Sequence, residues 1–435
     1  MTTVLFWFRN DLRLHDQPAL AAALQSGATH LLPVWCQAPA QATPWGFARV
    51  GPHRQAFEAA AVHGLAEQLQ RLGTPLLQCQ GPPATVLPAL ARAVGATTVV
   101  CQDIAAPYEQ AEVDALRAAG LQVHTVWQCS LLHPADLPWP MADLPDVFST
   151  FRQGVERARI TPPAPLPAPA ALLPPPTVNG ADLLRLAGVV PAVTQAEPGA
   201  GCDARSSFAY GTPACNGAEA AALAHLQQYL ARKLPHTYKA TRNGLTGLDY
   251  SSKFSPWLAT GALSARHIHA DLKTFERDHG ANDGTYWLWF ELLWRDYFRF
   301  LHCKYGSALY RARGLSLLPL PPHNAQGFVR WCQGRTGQPL VDAAMRELAA
   351  TGYLSNRLRQ VVASYLIYDL QGDWRAGAAW FEAQLVDYDV YSNQGNWLYI
   401  AGRGTDPRGG RRFNPQKQTQ DHDADGSYRC LWATA

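Results

Sequence analysis

Residues 338–402 carry the densest set of side chains able to do chemistry. Asn356, Arg359 and Gln360, followed by Ala363, line up at three- and four-residue spacing. They oppose an apolar face of Leu358, Val361, Val362, Tyr365 and Leu366, which predicts a half-buried helix with a polar edge. Ser355 stands where its N-cap belongs. A second helix is expected around Trp374–Val386, running into a loop from Asp387 to Asn393. Asp387, Asp389 and Asn393 then set two carboxylates and a carboxamide at i, i+2 and i+6 between apolar segments. Buried acids are costly unless paired. Arg359 is the expected partner of one, and a ligand N–H of the other. Trp374 and Trp397 flank the loop, as packing or as stations for an electron. A ligand-free helical core with a polar seam accounts for the same residues equally well.

Two further stretches have chemical potential. Tyr238-Lys-Ala-Thr-Arg242 leads into Tyr250–Ala259, where Ser251 and Ser252 stand before a helix start and Lys253 adds charge. Hydroxyls and free N–H groups there suit phosphate oxygens, although an ordinary N-cap reads the same way. Residues 287–299 form a helix crowded with aromatics. On it Glu291 and Arg295 are i, i+4, the spacing of a solvated ion pair, and Trp294 leans to the same side. A carboxyl beside an indole also suits a nucleobase, which offers a π-face and a polar edge. Trp287, Trp289 and Phe298 are read as packing. Near the C-terminus Arg403, Arg408, Arg411 and Arg412 lie on a Gly-rich loop, in contact with phosphate or simply solvated.

The elements that position these residues fall into two halves. Short apolar runs at 4–8, 31–35, 75–79, 98–101 and 121–127 alternate with Ala-rich helical stretches such as 54–72 and 84–94. That pattern predicts an α/β, doubly wound, mainly parallel sheet over residues 1–133. No G-x-G-x-x-G follows the first strand, so no NAD site is expected there. Residues 134–215 read as a connector; ten prolines between Thr161 and Pro198 disfavour helix and sheet and predict an extended path. Residues 216–435 carry helical patterns alone and nine of the fourteen tryptophans, which predicts an all-α domain with an aromatic-lined cavity.

Composition limits the partners. The 435 residues are 47% hydrophobic and 16% charged, as for a folded globular protein. The net charge of +3 splits as −2 over residues 1–235 and +5 over the remainder, a modest basic bias toward a polyanion. Nine scattered cysteines without C-x-x-C or Cys/His spacing argue for reduced thiols and against a zinc site. No apolar run reaches the roughly 18–20 residues of a membrane span, and the N-terminus reads as a strand instead of a signal peptide. A cytoplasmic protein is expected.

Several words of the sequence resemble the photolyase/cryptochrome family, specifically its DASH-type branch. They are FRNDLRLHD near the start, ELAATGYLSNRLRQ, DWRAGAAWFEAQLVDYDVYSNQGNW and RRFNPQ. The resemblance implies an α/β antenna-type domain, a wrapping connector and an all-α domain holding non-covalent FAD. It assigns Tyr238, Ser251, Ser252, Lys253, Phe254, Ser255 and Arg295 to the cofactor. Arg359 and Asp387 become the ion pair beside the isoalloxazine, Asp389 the acceptor of its N3–H, and Asn393 the side chain facing N5. Glu291, Trp294, Asn356, Gln360 and Tyr399 become the substrate pocket. Trp397 and Trp374 match the first two members of an electron relay. The third falls on about Pro321, so Trp331 or a surface tyrosine is expected to finish the path. Glu156, and more weakly Glu109, match contacts to an antenna such as methenyltetrahydrofolate. Arg242 joins the four tail arginines as a candidate contact to the DNA backbone.

The activity so implied is blue-light repair of cyclobutane pyrimidine dimers in DNA. Reduced FAD would lend an electron to a lesion drawn out of the stack, as photolyases do. DASH relatives favour single strands. Glutamine and tyrosine at 360 and 399, where many duplex-acting relatives have methionine and tryptophan, make a less stacking wall. A monomer is expected. The rival is a light sensor without repair; signalling cryptochromes usually carry a long disordered tail, whereas here about twenty residues follow Pro415.

Overall fold

The computed structural model describes residues 2–192 and 202–434. The N-terminal part alternates β1 (Thr3–Phe8), α1 (Pro18–Leu24), β2 (His30–Gln37), α2 (Pro52–Arg71), β3 (Leu77–Gln80), α3 (Pro83–Val94), β4 (Thr98–Gln102), α4 (Pro107–Ala118) and β5 (Gln122–Val126). Five parallel strands in the order 5-4-1-2-3 place β1 at the centre, where Val4 to Phe8 are buried on both faces. An unbroken apolar run suits such a strand, because helices cover both sides of the sheet. The α/β expectation therefore holds.

After α5 (Phe148–Ala158) the chain runs without regular structure to α6 (Gly180–Ala187) and β6 (Val190–Pro191). These two elements correct the expectation of an extended path throughout residues 161–198. Asn179 caps α6 by accepting from the Asp182 N–H, and Gly188 ends it in the left-handed region. The short β6 adds antiparallel to the edge of β3, a position where proline costs no ladder bond. Residues 193–201 of the expected connector lie outside the described residues.

From α7 onward the described residues contain helices and no strand. They are α7 (Glu219–Ala231), α8 (Tyr238–Thr241), α9 (Ser255–Thr260), α10 (Ala265–His279), α11 (Asp283–Tyr305), α12 (Ala325–Cys332), α13 (Pro339–Thr351), α14 (Asn356–Ser364), α15 (Trp374–Gln384), α16 (Val390–Ala401), α17 (Pro415–His422) and α18 (Ser427–Leu431). The central pair is α11 and α16. They approach closely at Gly395, where a Cβ would come 2.1 Å from Phe298 Cδ1.

The opening motif joins the two halves. Leu12 N–H donates to the Thr260 carbonyl (3.1 Å), and Arg13 Nη1 donates to the Gly261 carbonyl (2.8 Å). Leu14 and His15 N–H donate to the Glu219 carboxylate at the start of α7, both at 2.9 Å. Asp16, fully buried, accepts from Arg266 (2.6 Å) and from the Ser264 hydroxyl. Buried charges of this kind persist because each is paired and hydrogen-bonded. No helix among the described residues is long and apolar enough to cross a membrane.

Candidate functional site

The helical half encloses a cavity of about 520 Å³. Its walls include Tyr238, Arg242, Ser251, Ser252, Lys253, Phe254, Ser255, Glu291, Trp294, Arg295, Asn356, Arg359, Gln360, Asp387, Asp389 and Tyr399. An inner recess of about 80 Å³ shares Asn356, Arg359, Gln360, Asp387 and Asp389 with it and adds Asn393 and Trp397. The residues expected to hold a flavin and those expected to hold a substrate thus line one continuous space.

The polar edge of α14 faces this space. Ser355 caps the helix by accepting from the Leu358 N–H, and Leu358, Val361, Val362 and Leu366 are buried behind it. Arg359 Nη2 donates to Asp387 Oδ2 at 2.8 Å, as the sequence predicts, and its Nε donates to the Leu354 carbonyl. Asp387 Oδ1 is buried and unpartnered among the described residues.

The expected loop from 387 to 393 is shorter than predicted. Asp389 is the N-cap of α16, accepting from the Ser392 N–H at 2.8 Å, so Asn393 sits on the first turn of a helix. A short acidic side chain before an apolar run does this readily. Asp389 also pairs with Arg299, a buried residue of α11 that sequence reasoning missed. Arg299 follows Arg295 by four, and that spacing was the available signal. Burial works against ionisation of Asp389, but Arg299, Arg295 and the Ser392 N–H outweigh it and hold the carboxyl at about 2. The Asn393 amide donates to the Ala378 carbonyl (3.0 Å), which fixes its plane in the recess.

At the other end, Ser251 and Lys253 both adopt positive φ, 58° and 57°. Two non-glycine residues in this region make a strained turn. The Lys253 Nζ is buried, has no hydrogen-bond acceptor and lies 3.0 Å from the Tyr250 ring centroid. Burial lowers its pKa well below the usual lysine value. Beneath it Glu347 accepts from the Tyr428 hydroxyl, and burial raises its carboxyl to about 8. A buried amine without an acceptor, on the wall of a cavity with two serine hydroxyls, fits the pyrophosphate of FAD, whose charge would favour its protonated form. The helix start adds little, since α9 has six residues. Tyr238 is buried beside Ser251, hydroxyl to hydroxyl. Phe254 packs on Tyr229 and His225, and its backbone turns the chain into α9.

On α11 the expected Glu291–Arg295 pair does not form. Arg295 points inward and donates to the Cys129 and Leu258 carbonyls, while burial lowers it to about 10, with the Arg299 charge adding. Glu291 pairs with Arg242 instead. Arg242 also lies over the Trp287 ring, 4.4 Å from its centroid. Trp287 is therefore a cavity wall, not simple packing, and Arg242 faces the pocket instead of standing free on the surface.

The outlying expectations fare differently. Trp397 and Trp374 are buried; Trp397 lies 5.2 Å from Phe381 and 6.4 Å from Trp331, centroid to centroid. Trp331 is fully buried and bonded to the Val362 carbonyl, so it cannot be the surface end of a relay. Its ring stacks on Phe328, which touches the partly exposed Trp45. Glu156 is occupied by Arg152 and the Tyr286 hydroxyl. Glu109 lies elsewhere, its carboxyl raised by burial and its Oε2 without a partner. Of the tail arginines, Arg403 is buried and donates to the Pro319 carbonyl, which removes it as a phosphate contact. Arg408 and Arg411 pair with Asp406, Arg411 also covering the Tyr399 ring, and Arg412 pairs with Asp369.

Comparison with known proteins agrees with this architecture. Residues 4–170 match the family model of DNA photolyase, and residues 287–434 match that of the FAD-binding domain of DNA photolyase. A cryptochrome DASH of Gloeobacter violaceus is 44% identical, over 99% of this chain and 85% of its own length. The crystal structure of a Synechocystis cryptochrome superposes with a TM-score of 0.90 at 43% identity, covering 99% of this chain and 88% of that one. A bacterial class III photolyase from Agrobacterium tumefaciens gives 0.79 at 28% identity, covering 99% and 86%. The chain belongs to the photolyase/cryptochrome family, with an α/β N-terminal domain and a helical FAD-binding domain. Within it, this is a DASH-type cryptochrome.

Proposed function

We propose that this protein uses blue light and FAD to split cyclobutane pyrimidine dimers, acting on single-stranded DNA. The observation that carries the reading is the continuity of the cavity. Asn356, Gln360, Glu291, Trp294 and Tyr399 line the same space as Lys253, Arg359, Asp387 and Asp389. A ligand held by the second group lies against whatever the first group holds.

Bound reduced FAD supplies the photoexcited electron and takes it back. The protein contributes position and electrostatics. Ser251, Ser252 and Lys253 hold the pyrophosphate, with Tyr238, Phe254 and Ser255 closing the turn around it. Arg359 and Asp387 would hold the ring edge, and the Asp389 carboxylate, ionised at neutral pH, would accept from a ring N–H. Asn393, its amide held by Ala378, faces the redox-active edge. Arg295, on the wall of the same cavity, would contact the cofactor. Glu291 hydrogen-bonds the lesion, with Arg242 beside it, and Trp294 packs against it. Trp397 and Trp374 would carry electrons toward the bound cofactor.

The preference for single strands rests on Gln360 and Tyr399, which stack less well than methionine and tryptophan. They offset less of the few kcal/mol needed to unstack a duplex lesion. The same reading has a cytoplasmic monomer, phosphate contacts at Arg408, Arg411 and Arg412, and a second antenna chromophore near Glu156.

Illumination of the FAD-loaded protein with dimer-containing oligothymidylate tests it. Recovery of thymine ultraviolet absorbance is expected, faster on single strands than on duplex. Photoreduction of the flavin with the dimers left intact would sink the repair reading and leave a light sensor.

A further inference from the structure

A second cavity, of about 240 Å³, lies behind the first and shares Phe290, Trp294, Phe298 and Tyr399 with it. The partition is one aromatic layer, with Trp294 and Tyr399 edge to face at 6.3 Å. Behind it stand Phe148, Tyr297, Leu301 and Leu398. Its charged lining residues, Asp146, Asp406 and Arg408, are all partly or fully exposed to solvent. Each has a partner: Lys304 Nζ and the Tyr305 hydroxyl for Asp146, Arg408 and Arg411 for Asp406. Two titratable groups lie deep inside and both are neutral. The Tyr297 hydroxyl donates to the Pro145 carbonyl and is raised by burial. His302 donates to the Phe298 carbonyl, accepts from the Tyr310 hydroxyl and is lowered by burial to about 4.

At the rim Asp146 pairs with Lys304 while Asp406 is shared by Arg408 and Arg411, which leaves one positive charge in excess. With aromatic walls and no charge in its depth, such a site takes a flat neutral ring carrying an outside anion. That is the chemistry of a nucleotide. We propose that this cavity receives the nucleobase next to the lesion, with its phosphate at Arg408. The inference rests on the reading of the first cavity as the dimer pocket. It also sharpens the strand preference, because a single strand can turn this second base aside whereas a duplex must break another pair.

Dark binding of the FAD-loaded full chain to fluorescent single-stranded oligonucleotides tests the assignment. The strands carry one dimer, with thymine, 2-aminopurine or an abasic unit on its 5′ or 3′ side. On one side the abasic unit is expected to weaken binding roughly 5- to 150-fold, the range of a lost base–aromatic stack. On that same side 2-aminopurine emission should change on binding. Ser149→Trp fills the cavity from an exposed position that does not line the dimer pocket. It should erase the effect of the abasic unit while keeping tighter binding of damaged over undamaged strands. Equal affinity for thymine and abasic flanks on both sides, with the preference for damage intact, overturns this inference alone. Loss of any preference for damaged strands overturns the dimer-pocket reading with it.

Discussion

The Trp294 indole lies face to face on the Phe148 ring, 3.6 Å between centroids and 13° from coplanar. One side of the indole is therefore occupied before any ligand arrives, and it meets the cavity as a braced wall. Ordering the side chain in advance removes part of the entropy cost of binding. Trp294→Ala should weaken dark binding of dimer-containing oligonucleotide by about 1–3 kcal/mol, read by titration, with FAD content unchanged. Equal affinity would remove Trp294 from the lesion contacts.

Arg242 and Glu291 neutralise each other at the cavity wall. Glu291→Gln keeps shape and hydrogen-bonding capacity but leaves Arg242 unpaired. Repair yield per absorbed photon should fall several-fold, whereas the rate of flavin photoreduction should not move. A parallel loss of both would point to disturbed flavin binding instead.

Asp387 has almost no side-chain exposure, and Arg359 is its cation. Removing one partner of a buried pair typically costs about 3–5 kcal/mol. Arg359→Ala is expected to lower the midpoint of denaturant unfolding and to yield protein poor in FAD. Arg359→Ala combined with Asp387→Asn should recover much of the stability and little of the FAD. If the double variant is no more stable than the single one, the pair is not the source of the loss.

A Cβ at Gly377 would come 2.1 Å from Trp397 Cη2. Gly377→Ala must therefore displace the indole. Slower photoreduction at unchanged FAD content is the expected result, and Trp397→Phe should match or exceed it. Unaltered photoreduction kinetics in both variants would take Trp397 out of the relay.

Glu347 gives a pH dependence. Burial raises its folded pKa from the ordinary 4.5 to about 8. A raised value means that its stabilising contribution is complete below about pH 4.5 and is lost as pH climbs through about 8. The melting temperature of apoprotein should thus decline over this window more steeply than that of Glu347→Gln. Lys253, lowered by burial, contributes the opposite slope below the ordinary lysine range, so the difference between the two proteins is the quantity to measure. Parallel melting curves would show that Glu347 ionises normally.

The parts legible in the sequence were those set by local pattern. The strand β1 announced itself because a central parallel strand is apolar on both faces, and α14 because its cap and its stripe agree. The pair Arg359–Asp387 was legible because a buried acid needs a cation and one stood nearby in sequence. Partners distant in sequence were not. Arg242 meets Glu291 across 49 positions and Arg299 meets Asp389 across 90, so no spacing rule reaches them. Arg403 looked like its three solvent-facing neighbours, and only the packing of the 311–319 segment over it makes it an interior residue. The helical start at Asp389 was in reach, since an aspartate directly before an apolar run is a frequent cap.

The bonds from residues 12–16 to Thr260, Gly261, Ser264, Arg266 and Glu219 carry one more consequence. A fragment starting at residue 216 would leave Glu219 at the head of its first helix without both backbone donors, and a fragment ending near residue 133 would leave Asp16 without Ser264 and Arg266. Each half is expected to lose stability when the other is removed, and heating should melt the chain in a single transition. Exchanging one half with a relative's would succeed only when the five-residue clasp travels with its receptors.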